Sequence, residues 1–146
     1  MLQLYWFIIP IIFVERVVKG MSKLDQFIER AKAYVVTDVE EKALREKYKE
    51  VIMSTMQKIR DGLKQVEGYD YHVDAEETYS NLTLHDKKIV IMIDSVKNHI
   101  TVYENSDIID EIILKEGHLF STKHEQIFTE DILVDYLNET FKGIIG

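Results

Sequence analysis

The spacing of apolar residues changes twice along this chain, and the changes predict an α+β fold. From residue 22 to about residue 66, apolar residues recur every three or four positions, which is typical of amphipathic helices. From residue 79 to about residue 122 they tend to alternate with polar residues, which is typical of strands. After Thr129 the helical period returns. The predicted order is an N-terminal two-helix segment, an antiparallel β-meander of four to five strands and a C-terminal helix.

The N-terminal segment divides into two predicted helices at Thr37. Ser22 and Asp25 match the capping pattern of a first helix, and Thr37 with Glu40 matches that of a second. The second helix is expected over about residues 39–66, and the short connection predicts a helical hairpin or a bent pair. The apolar stripe of the first helix consists of Leu24, Phe27, Ile28, Ala31, Tyr34 and Val35.

The central region is predicted to form strands joined by short turns, after an acidic loop at residues 68–77. Residues 88–94 are almost continuously apolar, which favours a central strand covered on both faces. Asp110 and Glu111 interrupt the strand near residue 110, and we expect them to protect an exposed edge. The predicted strands are residues 79–85, 88–94, 99–104, 108–115 and 118–122.

The first twenty residues form an apolar N-terminal extension, which we separate from a single α+β domain at residues 21–146. Residues 2–14 read LQLYWFIIPIIFV, which is shorter than the roughly 20 residues of a membrane-spanning helix. Pro10 weakens a helix further. Three interpretations remain open: a membrane anchor or inefficient signal, an ordinary buried element, and a biological start at Met21.

Charge and cysteine content exclude several classes of function. The 146 residues contain 18 Lys and Arg, 26 Asp and Glu, and no cysteine. Disulfides, thiolate metal sites and cysteine nucleophiles are therefore excluded. Residues 1–68 carry 12 basic and 10 acidic side chains, a net +2, whereas residues 69–146 carry 6 and 16, a net -10. This acidic half argues against nucleic acid and favours a basic protein partner.

Catalytic and metal-binding motifs are absent from the sequence, so we predict no catalytic, cofactor-binding or metal-ligating residue. Phosphate-binding glycine loops and the GxSxG nucleophile motif do not occur. The five histidines lack the spacing of metal ligands. His118 and His124, with Glu125 or other carboxylates, would suit a metal or a small ligand if a loop brought them together. The oxygen ligands Asp70, Asp74, Glu76 and Glu77 would suit calcium, but they lack the spacing of a calcium-binding loop, which favours a solvated acidic loop.

Tyrosines and acids around the predicted sheet form a candidate interaction surface. Tyrosine side chains near a sheet edge present a large contact area at a low entropic cost. The alternative is that their rings pack beneath the long helix with the hydroxyl groups at the rim. The candidate surface consists of Tyr69, Asp70, Tyr71, Asp74, Tyr79 and Tyr103.

The two ends of the domain carry a resemblance to other proteins. The segments MSKLDQFIERAKAY at residues 21–34 and FTEDILVDYLNETFKGI at residues 128–144 resemble small uncharacterised proteins of low-GC Gram-positive bacteria. The resemblance covers residues 21–146 and implies a cytosolic accessory protein. It implies no site residue.

These observations lead to one functional hypothesis with two alternatives. The leading hypothesis is a non-catalytic, acidic protein-interaction or accessory module in the cytoplasm. The first alternative is a small-ligand-binding protein or an enzyme that uses His118 or His124 with nearby carboxylates. The second alternative is the same module tethered to a membrane by residues 2–14.

Overall fold

The structure is a computed structural model that describes residues 21–146. The predicted extension at residues 1–20, with its three interpretations, lies outside the described residues. Contacts divide the described chain between Val39 and Glu40 into two units. Among the described residues, no helix has the length and apolarity needed to cross a membrane.

The N-terminal helices meet at a different place from the one predicted. Helix α1 runs over Lys23–Tyr48, continues through a π-helical turn at Lys49–Met53 and is followed by α2 at Ser54–Leu63. Helix α1 runs without a break through Thr37, so the predicted division there, as a hairpin or a bent pair, is wrong. The predicted break fails because the Thr37 hydroxyl donates to the carbonyl of Ala33 (3.0 Å) inside the helix and does not cap a new one.

The sheet of the described chain has seven strands, each antiparallel to the next and arranged in the order of the sequence. The predicted meander is confirmed, but the predicted count of four to five strands is too low. The strands are β1 Tyr71–Ala75, β2 Tyr79–Leu84, β3 Lys87–Asp94, β4 His99–Glu104, β5 Asp107–Lys115, β6 His118–Ser121 and β7 Gln126–Ile127.

Strand β1 lies within the segment that was predicted to be an acidic loop. Tyr71, Val73 and Ala75 share the face that bears the buried residues of β2, and Ala75 is itself buried. His72 and Asp74 point to the opposite face. The period of two was present in this segment, but its acidic and aromatic composition hid it.

Among residues 21–146, the helices cover one face of the sheet. On β3, Ile89, Ile91 and Ile93 are buried, whereas Val90 and Met92 between them are half-buried. The expectation of a strand covered on both faces is therefore wrong. We call the second face, to which Val90 and Met92 belong, the uncovered sheet face.

Helix α3 and the segment from Leu44 to Leu63 supply the cover. Helix α3 spans Glu130–Ile145, and its Thr129 cap accepts a hydrogen bond from the amide of Ile132 (3.4 Å), as the sequence predicted. The helix does not end at Gly143 as expected. The largest buried side chains of the core are Tyr48, Phe128, Phe141, Leu44, Ile52, Met56, Ile89, Ile91, Ile100, Ile112, Leu119 and Leu133.

Tyr48 fixes the register between the helices and the sheet. Its ring is fully buried, and its hydroxyl donates to the carbonyl of Ile91 (2.6 Å). The same hydroxyl forms a second hydrogen bond with the hydroxyl of Ser80 (2.8 Å). A buried phenol without these partners would cost free energy, so the contact selects one position of the helix on the sheet.

The cover provided by α3 can be tested with two substitutions on the same helix. Leu137→Ala should lower the free energy of unfolding by about 2–5 kcal/mol, because Leu137 is buried in the core. Val134→Ala is the control, because Val134 is 38% exposed, and should cost less than about 0.5 kcal/mol. Urea unfolding of both variants measures the difference, and equal losses would contradict this placement of α3.

Candidate functional site

The first candidate surface is the predicted apolar stripe of the first helix extended by Val39, and its large side chains are exposed. We call it the apolar helix face, and its six large side chains are between 38 and 72% exposed. Monomeric proteins seldom expose a contiguous apolar patch of this kind unless it binds something. The face consists of Leu24, Phe27, Ile28, Ala31, Tyr34, Val35 and Val39.

Local sequence favours a helix in this segment. The hydroxyl of Ser22 accepts from the amide of Asp25 (3.1 Å) and donates to its carboxylate (2.9 Å), which confirms the predicted cap. Lys32 forms an ion pair with Glu29 one turn earlier (3.2 Å). Such pairs add a few tenths of a kcal/mol each. The helix is therefore supported by its own polar groups, and its apolar side chains remain available.

The predicted tyrosine and acid surface is divided between two faces of the sheet and the segment before it. Tyr79, Tyr103 and Asp74 lie on the uncovered sheet face, with Val90 and Met92 between the two tyrosines in the strand register.

The other three members of that predicted surface lie elsewhere. Tyr71 lies on the opposite, helix-covered face. Tyr69 precedes β1 and is 97% exposed. The carboxylate of Asp70 contacts Nδ1 of His85 (3.1 Å). The structure thus brings together Asp74, Tyr79 and Tyr103 but not the whole set.

A cleft of about 380 Å³ lies within the second unit, between the helical segment from Lys47 to Lys58 and the region around β6, β7 and the start of α3. Glu130 makes two polar contacts in this cleft. Its carboxylate accepts from the Thr55 hydroxyl (3.2 Å) and pairs with Nζ of Lys58 (3.5 Å). Glu50 lines the same cleft and pairs with Lys47 (3.2 Å). The lining therefore offers both cations and carboxylates.

The two histidines singled out in the sequence lie in different surroundings. His118 lines the cleft, together with Glu50 and Glu130. His124 does not line it, and its ring lies 5.5 Å from the ring of Tyr136. Within residues 21–146, no three His, Asp or Glu side chains converge as a metal site would require.

A buried polar cluster surrounds Asp110, which was expected at an exposed edge. That expectation is wrong, because β5 lies between β4 and β6 and Asp110 is only 3% exposed. Its carboxylate accepts from the hydroxyls of Ser121 (2.5 Å) and Tyr136 (2.6 Å) and from the amide of Lys123 (3.2 Å). Three donors satisfy the charge, so the cluster ties the β6–β7 turn to α3.

Comparison with known families finds one match. A family described as "Protein of unknown function (DUF3942)" matches residues 24–145. The chain belongs to this family. No curated protein and no solved structure matches the chain.

The DUF3942 match confirms the resemblance to an uncharacterised domain family and covers every candidate surface described above. It includes the apolar helix face, the cleft and the buried cluster around Asp110. The description of the family assigns no activity, so only the geometry of the DUF3942 domain bears on its function.

Several residues of these sites carried no recognisable signal in the sequence. Thr55 and Glu130 are 75 positions apart, and Asp110 and Tyr136 are 26 apart. No local pattern links such pairs, because the fold alone brings them together. The apolar helix face did have a signal, its period, but a period does not reveal whether the stripe is buried.

Two buried tyrosines make the free energy of unfolding depend on pH in the alkaline range. Burial raises the pKa of Tyr48 and of Tyr136 above the usual value near 10, and the hydrogen bond with Asp110 raises that of Tyr136 further. Below about pH 10 both groups are protonated in the folded and unfolded chains, so they have no effect on the pH dependence. Above that pH the unfolded chain loses these protons first, and the free energy of unfolding falls as pH rises.

We therefore expect Tyr136→Phe to reduce the steepness of the loss of stability above pH 10. Tyr69→Phe is the matched control, because Tyr69 is exposed, and it should leave the slope unchanged. Urea unfolding at a series of pH values between about 8 and 11 measures the slope. An identical slope for wild type and Tyr136→Phe would contradict the buried arrangement.

Proposed function

We propose that this DUF3942 protein is a non-catalytic protein-interaction module whose docking surface is the apolar helix face. The observation that carries the proposal is the exposure of six large apolar side chains along one stripe of α1. Burying one such side chain contributes about 1.5–3 kcal/mol when burial is complete. A partner that covers the stripe would gain several such contributions at once.

The composition of the face resembles that of protein–protein contacts. Phe27 and Tyr34 are 61 and 72% exposed, and they lie two turns apart on the same stripe. Aromatic side chains of this kind often carry much of the binding energy at an interface. An amphipathic helix that presents anchors at intervals of three and four residues is a common recognition element.

The charge of the second unit adds an electrostatic part to the proposal. Residues 40–146 contain 13 basic and 22 acidic side chains, a net -9. Such a surface attracts a basic partner and accelerates its encounter, and the effect weakens with salt. A cytoplasmic location, as the family resemblance implies, belongs to the same proposal.

Site-specific photo-crosslinking tests the proposal in lysate of the source cells. A photoreactive phenylalanine analogue at position 27 should give a discrete protein adduct, because this position lies on the docking surface. The same analogue at Val96, which is apolar and 94% exposed but lies in a turn of the second unit, is the control and should give none.

Equal labelling at both positions, or none at position 27, would contradict the proposed docking surface. The electrostatic part has its own outcome. Raising the salt from about 0.05 to about 0.5 M should reduce the rate of adduct formation without abolishing it. A rate of adduct formation that does not change with salt would contradict the basic partner but not the apolar contact.

A second candidate function is the binding of a small ligand in the cleft that contains His118. The observation that favours it is the meeting of His118 with Glu50, Glu130 and Lys58 around one concavity, although these residues come from distant parts of the chain. Paired cations and carboxylates suit a small zwitterion, which carries both charges.

Amide chemical shifts in NMR spectra test the cleft, with glycine as a zwitterion and acetate and inorganic phosphate as anions. Glycine should cause saturable shifts at Thr55, His118 and Glu130. His118→Ala should weaken them, whereas His124→Ala, outside the cleft, should not. Spectra that show no saturable shift with any probe would eliminate this candidate.

A further inference from the structure

We infer that the partner on the apolar helix face is a second copy of this chain, paired antiparallel about a two-fold axis at Ala31. The inference rests on the apolar part of the proposed function, because it names the protein that covers the docking surface. A second copy is acidic, so it takes the place of the basic partner at this surface. Two-fold dimers are the commonest symmetric assemblies, and each requires a patch that is complementary to itself.

The order of side chains in the central part of the face, residues 27–35, meets that requirement. Ile28 and Phe27 lie three and four residues before Ala31, and Tyr34 and Val35 lie three and four residues after it. Reversing the helix about Ala31 therefore superposes these four apolar positions on one another, whereas Leu24 falls opposite Asp38 and Val39 falls opposite Lys23 at the two ends of the face. In an antiparallel pair, Phe27 of one copy lies opposite Val35 of the other, and Ile28 lies opposite Tyr34.

The size of the central residue permits close contact between the helices. The distance between two packed helices is typically 8–10 Å and depends on the side chains at the crossing point. Ala31 is the smallest side chain of the face and lies at its centre, with larger side chains on both sides. Two copies that cross there bring the larger side chains into contact along both arms of the stripe.

The exposed area is of the size that a stable dimer needs. With exposures between 38 and 72%, the six large side chains offer on the order of 100 Å² each, or roughly 600 Å² in all, before the flanking polar groups are counted. A typical specific interface buries about 800 Å² per partner. Contacts from the flanks of α1 supply the difference.

Charge also favours this segment as the contact between copies. Residues 21–39 carry three basic and three acidic side chains, which are Lys23, Arg30, Lys32, Asp25, Glu29 and Asp38. Association through the second unit would bring two surfaces of net -9 together, whereas the helix has no net charge to overcome.

Introduced cysteines test both the contact and its direction, because the natural chain contains none. In the full-length chain, Ala31→Cys should form a disulfide-linked dimer under mild oxidation, because position 31 meets itself at the axis. Phe27→Cys alone should not, because the two copies of position 27 lie eight residues apart along the helices, about 12 Å. Disulfides need Cα atoms about 4.4–6.8 Å apart.

An equal mixture of Phe27→Cys and Val35→Cys chains should restore the disulfide dimer, because these positions lie opposite each other. Residues 2–14 of the full chain are also apolar, so dimer formation alone does not identify which segment makes the contact. A disulfide at a defined position does identify it. Linkage of Phe27→Cys to itself as efficiently as Ala31→Cys would overturn the antiparallel arrangement. Val96→Cys is the control for random collision, because its side chain is 94% exposed.

The mass of the protein in solution separates this inference from the proposed function. Light scattering at about 100 µM protein should show a dimer for wild type and for Val96→Asp, and a monomer for Phe27→Asp with unchanged circular dichroism. A monomeric wild type without disulfide linkage at position 31 would overturn the second copy. If position 27 still captured another protein by photo-crosslinking, the proposed docking surface would be supported and only the second copy would be overturned. If position 27 captured nothing, both the docking surface and the second copy would be overturned.

Discussion

A seven-strand antiparallel meander has two faces, and the described chain has helices enough to cover only one. That constraint determines which strand residues of the second unit are buried and which are exposed. The covered face receives the aliphatic side chains of the strands, and Tyr48 joins the helical layer to it through the carbonyl of Ile91 and the hydroxyl of Ser80. The uncovered face retains half-buried Val90 and Met92 between polar and aromatic neighbours.

The same helix that supplies this cover also supplies the proposed docking surface. From Leu44 onward its apolar side chains belong to the core, whereas from Leu24 to Val39 the large ones are exposed. Local polar groups, such as the Ser22 cap and the Glu29–Lys32 pair, support the exposed part. In proteins most helical stability comes from packing of an apolar face and not from local groups, which is a further physical reason for a partner on the apolar helix face.

The sequence predicted the elements better than their surroundings. The Ser22 and Thr129 caps, the meander and the C-terminal helix followed from local rules that act over three or four residues. Thr37 misled because a threonine can cap a helix or bond back within one, and the sequence pattern is the same. Asp110 and Glu130 acquire their partners only through the fold, so no local rule could assign the buried cluster or the cleft.

We propose that residues 24–39 form a contact between molecules. Hydrogen exchange measured on the full chain at about 1 µM and about 100 µM protein tests it directly, because a helix covered by a partner opens less often. If a partner covers residues 24–39, their amides become more protected at the higher concentration, while those of β3 do not change. Exchange in residues 24–39 that is rapid and independent of concentration would contradict it.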